Sequence, residues 1–247
     1  KTRLALKVSS QLVESPAQHS QFRDGLFFVP LEAVTDANGV VSAIISAIAE
    51  ESGFPLHAAA PLQEQLLDFL HDKTMLLLLD NFEHLLKHAA LLSTILRTAP
   101  GVKLLVTSRE ALGLQEAWFY PLVGLSVPQE NETQRPKVEH DAIHFFIQCA
   151  RRTQPSFAHE AERAAIVRIC QMVEGLPLAI ELAAAWLKVL TCAQIVHELE
   201  HGMDILTARF HNIPTRHSSI RAVMEQSWRM LTEDERGVAA RLSIFRD

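Results

Sequence analysis

Short apolar runs alternate with amphipathic segments along the first half of the chain. Leu4, Val8 and Leu12 recur at helical spacing and predict a helix over the first dozen residues. Four apolar runs of strand length predict strands at 26–31, 74–79, 102–107 and 118–122. Strands that alternate with helices indicate a parallel, doubly wound α/β sheet that is covered on both sides.

The residues between these runs predict where the helices begin and end. Asp36 or Asn38 is expected to cap the helix after the first strand, and Gly53 to end it. Pro61 is expected to begin the next helix. A further helix is predicted after the second strand, continuing through Leu96.

The pattern changes near Pro128. Residues 128–138 are polar, contain two prolines and are typical of a linker. Beyond them only the helical period remains, and helices are predicted at 139–152, 160–173, 177–190, 192–200, 217–230 and 233–243. Thr232 and Glu235 have the spacing of a capping box for the last helix. An all-helical half is therefore expected to follow the α/β half.

Composition narrows the class of protein. The 247 residues are 48% apolar, which is ordinary for a globular protein, and the net charge of −6 argues against a surface that coats nucleic acid. Cys149, Cys170 and Cys192 lie in predicted helices without close pairing, which favours buried thiols in a reducing compartment. The apolar runs are too short to cross a bilayer, and a cytoplasmic location is predicted. The chain has no initiator Met, and a fragment of a longer protein is expected.

Asp80 follows the most apolar predicted strand directly. A carboxylate at the carboxyl end of a buried strand lies where α/β proteins bind ligands, and Mg²⁺ held through water is its usual partner in a phosphate site. The alternative is that Asp80 and Asn81 form a turn that caps the following helix. Lys1 and Thr2 favour the metal interpretation, because a Lys–Thr pair that opens a helix matches the end of a phosphate-binding loop. There the Lys reaches the β- and γ-phosphates and the Thr hydroxyl binds Mg²⁺.

The next predicted strand ends in Thr107, Ser108 and Arg109. If it lies beside the Asp80 strand, Arg109 emerges at the same edge and its planar guanidinium can reach a γ-phosphate. The alternative is a surface pair of Arg109 with Glu110 or Glu116.

Gly175 and Pro177 separate two predicted helices. Gly suits the end of one helix and Pro suits the first turn of the next, which is a sufficient structural explanation. Such a corner also offers an apolar wall that could hold an adenine ring.

Taken together, these segments resemble the STAND class of signal-transducing P-loop ATPases, which includes the NB-ARC proteins, and more narrowly the ATPase module of large bacterial transcriptional regulators. The resemblance covers nearly the whole chain. It rests on seven segments: 1–5 (KTRLA), 79–85 (LDNFEHL), 106–109 (VTSR), 175–179 (GLPLA), 216–221 (RHSSIR), 227–231 (SWRML) and 242–245 (LSIF).

The resemblance implies a role for each matching residue. Lys1 and Thr2 would be the Walker A lysine and hydroxyl, and Thr2 and Asp80 would hold Mg²⁺. Asp80 would be the Walker B carboxylate, Arg109 the sensor of the γ-phosphate, and Pro177 would pack beside the adenine of ATP or ADP.

It also implies a domain plan. Residues 1–127 would form a parallel P-loop NTPase sheet whose first strand is missing, 128–210 a helical lid, and 211–247 the beginning of a winged-helix domain. Without the glycine-rich loop, the fragment is expected to bind nucleotide poorly and to be inactive. Asn81 stands where many ATPases carry an acid, and Glu83 is the candidate substitute, so slow hydrolysis is expected.

Three functions remain open. The first is an ATP/ADP-operated switch that works with other domains of the same polypeptide, with self-association on activation and DNA contacts only outside this fragment. The second is a scaffold for protein contacts that binds nucleotide without hydrolysis, or binds none. The third is direct DNA binding by the helices after residue 210, where acidic residues dilute the arginines.

Overall fold

The computed structural model describes residues 1–15, 20–52, 54, 60–129, 140–202, 228 and 231–242. The chain divides into two compact units, Lys1–Pro121 and Leu122–Asp247, which are described in turn. Gly53, the linker residues 130–138 and the helix predicted at 217–230, apart from Trp228, lie outside the described residues.

The first unit is a mixed α/β structure. Its helices are α1 (Thr2–Glu14), α2 (Ala37–Ser52), α3 (Leu62–Leu70) and α4 (Ala90–Thr98), and short 3-10 turns cover Ser20–Phe22 and Glu83–His88. Its strands are β1 (Leu26–Pro30), β2 (Leu76–Asp80) and β3 (Lys103–Val106). The predicted order of strands and helices is confirmed for these elements. Asp36 caps α2, since its carboxylate accepts the Gly39 N–H at 2.8 Å.

The three strands form one parallel sheet in the order β1-β2-β3. The register pairs Pro30 with Asp80 and Leu79 with Val106, so all three strands end at the same edge. Every residue of the central strand β2 is buried, because helices and neighbouring strands cover its uninterrupted apolar run. This packing fixes the position of Asp80 at the middle of the edge.

The strand predicted at 118–122 is wrong. The segment is not a strand, and Trp118 is 100% exposed. A strand needs a hydrogen-bonded neighbour, and no backbone hydrogen bond among the described residues joins this segment to the sheet. The prediction rested on apolar and aromatic residues alone, and the described part of the chain supplies no neighbouring strand to pair with this segment.

The second unit contains only helices among its described residues. They are α5 (Asp141–Thr153), α6 (Arg163–Met172), α7 (Pro177–Ala185), which continues into a 3-10 turn at Trp186–Lys188, α8 (Cys192–His201) and α9 (Glu233–Leu242). The predicted capping box of the last helix is confirmed, because Thr232 Oγ1 accepts the Glu235 N–H at 3.3 Å and Glu235 Oε2 accepts the Thr232 N–H at 2.8 Å. None of the described helices is long and apolar enough to span a bilayer.

The three cysteines form no disulfide and are buried, as the sequence predicts. Burial raises the pKa of the Cys170 and Cys192 thiols to about 12. They therefore act as small apolar side chains in the core of this unit.

Candidate functional site

Asp80 lies at the carboxyl end of β2, where its side chain is surrounded by hydroxyl groups. Thr2 Oγ1 donates to both carboxylate oxygens, at 2.8 and 3.0 Å, and Thr107 Oγ1 donates to Oδ1 at 2.6 Å. The residue is only 5% exposed. A buried carboxylate requires such partners, because burial without them is costly.

The chain leaves β2 through a left-handed turn. Asn81 has φ of 72°, a conformation that asparagine tolerates better than most residues. Its N–H donates to Thr107 Oγ1 at 3.0 Å, and the Phe82 N–H donates to the Thr107 carbonyl oxygen at 3.0 Å. The turn at Glu83–His88 has no side-chain cap, so the alternative in which Asp80 caps the next helical segment is wrong.

Thr107 is the residue of this site to which sequence reasoning gave no role. Its hydroxyl links the ends of two strands by donating to Asp80 and accepting from Asn81. The signal was present in the sequence, because Asp80 directly follows one predicted strand and Thr107 is the last residue of the next. Only the register of Leu79 with Val106 shows that the two side chains lie side by side.

Lys1 contacts the same edge from the start of α1. Its Nζ donates to the carbonyl oxygen of Ser108, the residue before Arg109, at 2.5 Å. Partial burial lowers the pKa of the Lys1 ammonium, while the charge of Glu83 raises this pKa and that of Arg109 lowers it. The three charged groups are therefore within electrostatic reach of one another.

Arg109 pairs with Glu83. The Nε to Oε1 distance is 3.1 Å, and the side chains are 27% and 5% exposed, respectively. Glu116, one of the alternative surface partners, instead accepts from Arg97 Nε at 3.1 Å and from Ser93 Oγ at 2.7 Å. The ion pair brings Arg109 to the same edge as Asp80.

Pro177 lies in the second unit, at the first turn of α7. The preceding Gly175 has φ of 65°, and a Cβ there would overlap the carbonyl oxygen of Leu125. The Leu125 N–H also donates to the Gly175 carbonyl oxygen at 2.8 Å. Chain reversal and close backbone packing thus account for the Gly and Pro of this motif.

The structure thus brings together five of the six predicted site residues, in the first unit: Lys1, Thr2, Asp80, Glu83 and Arg109. The arrangement offers a carboxylate and a hydroxyl to a cation, beside two cationic side chains. No group of three or more His, Cys, Asp or Glu among the described residues could hold a metal ion. Mg²⁺ does not need such a group in a phosphate site, because one or two protein ligands, water and phosphate complete its octahedron.

The two candidate metal ligands are hydrogen-bonded to each other. Thr2 Oγ1 and Asp80 Oδ1 are 2.8 Å apart. Two neighbouring ligands of an octahedral Mg²⁺ ion lie about 2.9 Å apart, given Mg–O distances of about 2.0–2.1 Å. The hydroxyl and the carboxylate can therefore occupy adjacent coordination positions with little movement.

Comparison with known proteins finds relatives that are described as transcriptional regulators. No protein-family model matches the chain. It is 32% identical over 247 residues to a Mycobacterium tuberculosis protein named "Putative HTH-type transcriptional regulator", across 99% of this chain and 25% of that protein. A Mycobacterium bovis protein with the same description matches equally. An "Uncharacterized protein" of M. tuberculosis is 31% identical over 249 residues, across 99% of this chain and 58% of that protein.

The chain thus spans a quarter of the length of the relatives named as regulators and somewhat more than half of the other. Of these relatives, those whose description states a function are described as HTH-type transcriptional regulators.

Proposed function

We propose that this chain is the ATP- or ADP-binding switch module of a transcriptional regulator. The observation that supports the proposal is the convergence of Lys1, Thr2, Asp80 and Arg109 at the carboxyl ends of β2 and β3. Ligands of open α/β sheets bind at that edge. An ammonium and a guanidinium suit phosphate oxygens, and a hydroxyl beside a carboxylate suits Mg²⁺.

In this proposal Lys1 binds the β- and γ-phosphates, and Thr2 and Asp80 hold Mg²⁺, which supplies charge neutralisation at the phosphates when bound. Arg109 binds the terminal phosphoryl group. Pro177, on the helical lid proposed for 128–210, packs beside the adenine. The α/β domain would extend over 1–127, and 211–247 would begin a winged-helix domain.

The free edge of β3 supports a P-loop sheet. Its residues Leu104, Leu105 and Val106 are only partly buried, although they are as apolar as the fully buried β2, and no strand among the described residues pairs with their outer edge. A further strand beside β3, leading into a glycine-rich loop before Lys1, would cover these side chains and place backbone amides around the phosphates.

The regulatory part of the proposal comes from the relatives. Their description as HTH-type transcriptional regulators supports an output at DNA through parts of the protein outside this chain. A cytoplasmic location and self-association on activation belong to the same proposal. The terminal phosphate would bias the arrangement of the domains, as a nucleotide does in other switches.

The switch is expected to hydrolyse ATP slowly. One observation favours a second candidate function, a module that binds nucleotide without hydrolysing it. Asn81 cannot act as a base, and the candidate substitute, Glu83, is engaged by Arg109 at 3.1 Å. A general base must reach the attacking water, so this pairing opposes turnover.

Calorimetric titration of the full-length protein with ADP and Mg²⁺ tests nucleotide binding. Lys1→Ala is expected to abolish binding, because it removes the ammonium at the phosphates. The matched control is Lys7→Ala, which removes an exposed ammonium from the same helix and should leave the affinity unchanged. Equal ADP affinity in the wild type and in Lys1→Ala would refute the proposed site.

Steady-state phosphate release separates the switch from the non-hydrolysing scaffold. Slow release that disappears in Asp80→Ala supports the hydrolysing switch. ADP binding without release above the Asp80→Ala background supports the scaffold.

A further inference from the structure

Glu83 holds Arg109 in the described conformation. The pair joins Arg109 Nε to Glu83 Oε1 at 3.1 Å, and the Glu83 side chain is only 5% exposed. Glu83 therefore depends on protein groups, and not on water, to stabilise its charge. A carboxylate buried in this way is strongly destabilised when its cationic partner is withdrawn.

The neighbourhood already contains the two cations that a nucleotide would use. Lys1 donates to the carbonyl oxygen of Ser108, and its ammonium is influenced by the charges of both Glu83 and Arg109. Glu83 thus lies among positive groups where an incoming anion would also lie. Glu83 occupies Arg109 Nε, and a phosphoryl oxygen that takes this N–H competes with the carboxylate, because both accept from guanidinium in the same way.

We propose that Glu83 sets the preference between diphosphate and triphosphate by competing with the terminal phosphoryl group for Arg109. The inference rests on the proposed function and gives Glu83 a role in specificity. A triphosphate must draw Arg109 away from Glu83, which leaves a buried carboxylate with a weaker set of partners. A diphosphate that is bound through Lys1 and Mg²⁺ leaves the ion pair intact. The pair therefore weakens triphosphate binding selectively.

The direction in which the nucleotide affinities change when Glu83 is neutralised distinguishes this role from a catalytic or purely structural role of Glu83. Loss of a general base would slow hydrolysis and leave ground-state affinities unchanged. Loss of a residue that only stabilises the structure of the site would weaken the binding of both nucleotides together. Competition for Arg109 predicts that neutralising Glu83 strengthens triphosphate binding more than ADP binding.

The test is calorimetric titration of the full-length protein with ADP and with the non-hydrolysable analogue AMP-PNP, both with Mg²⁺. Glu83→Gln, which keeps the shape and removes the charge, is expected to shift the affinity ratio about tenfold toward AMP-PNP, as expected for one charge-assisted hydrogen bond. In an Arg109→Ala background the same change should have no effect on the ratio.

The matched control is Glu116→Gln. Glu116 belongs to an arginine pair of the same 3.1 Å length, with Arg97, outside the site. That change should leave the ratio unaltered. If Glu83→Gln does not fold, Glu83→Asp, which keeps the charge and draws it back by one methylene, should shift the ratio in the same direction by a smaller factor.

An unchanged ratio, or one that moves toward ADP, in the folded Glu83 variant overturns the inference while the proposed function stands. A shift that persists in the Arg109→Ala background also overturns it. A wild-type protein that binds neither nucleotide refutes the proposed function and the inference together.

Discussion

Each of the two units contains a tight left-handed turn, and the surroundings of the two turns differ. At the edge of the sheet, Asn81 has φ of 72°, and the surrounding groups are side-chain hydroxyls and carboxylates that converge. Between α6 and α7, Glu174 and Gly175 have φ of 51° and 65°, and the backbone of Leu125 fills the adjoining space. A strained turn that is surrounded by converging polar side chains points to a binding or catalytic site. A strained turn whose surroundings are filled by backbone atoms points to close packing.

The largest effect should come from Gly175→Ala. The new Cβ would overlap the Leu125 carbonyl oxygen and would also strain the left-handed backbone, so a loss of about 3 kcal/mol or more in the free energy of unfolding is expected. Gly113→Ala is the matched control, because Gly113 has φ of 67° with open space around it and should cost only about 1 kcal/mol. Equal losses in urea unfolding would show that the Gly175 turn is not closely packed.

Thr107→Val should give the next largest effect, at the other turn. Val has nearly the same shape, but it removes the donor to Asp80 and the acceptor for the Asn81 N–H, at an expected cost of about 2 kcal/mol. Thr107→Ser restores both hydrogen bonds and should recover most of the loss in urea unfolding. If Thr107→Val is as stable as the wild type, the hydroxyl bridge does not stabilise the turn.

A smaller effect is expected for Asn81→Ala. Alanine tolerates the left-handed backbone less well than asparagine, so about 1 kcal/mol should be lost, while Asn81→Gly should be close to neutral. Thermal unfolding of the two variants compares them directly. A Gly variant as unstable as the Ala variant would mean that the Asn81 side chain, and not its backbone, stabilises the turn.

The smallest effect concerns Asp24, which lies before β1. Its carboxylate accepts the Thr74 N–H at 2.7 Å and lies near Lys73 and Arg23. The hydrogen bond to Thr74 is the main cause that lowers the pKa of Asp24. Since the folded pKa is below the unfolded value of about 3.9, the stabilisation is complete above that pH and is lost as pH falls through the folded pKa.

Asp24→Asn should therefore lower the free energy of unfolding by about 0.5 kcal/mol at pH 7, because the substitution removes the charge while the amide oxygen can still accept the Thr74 N–H. The difference from wild type should shrink as the pH falls through the folded pKa of Asp24. The Gly175→Ala deficit, which is steric, should stay constant over the same range. A pH-independent difference for Asp24→Asn would show that its charge does not contribute.

The sequence predicted the part of this fold that depends on local pattern. The apolar runs predicted β1, β2 and β3 within two residues at each end, although only β2 is buried throughout. Parallel strands end at one edge, so Asp80 and Arg109 could be predicted to lie close together. The pairing of Glu83 with Arg109 and the bridge through Thr107 could not, because they depend on register and on side-chain direction across the sheet. The strand expected at 118–122 failed because pairing, and not composition, makes a strand.

The proposed roles depend on one geometric claim, that the groups at the ends of β2 and β3 surround a single phosphate chain. A crystal structure of the full-length protein with ADP and Mg²⁺ tests it most directly. The account predicts the β-phosphate within hydrogen-bonding distance of Lys1 Nζ and Mg²⁺ beside Thr2 Oγ1 and Asp80. A nucleotide bound away from that edge, or one whose phosphates avoid Lys1 and Asp80, would contradict it.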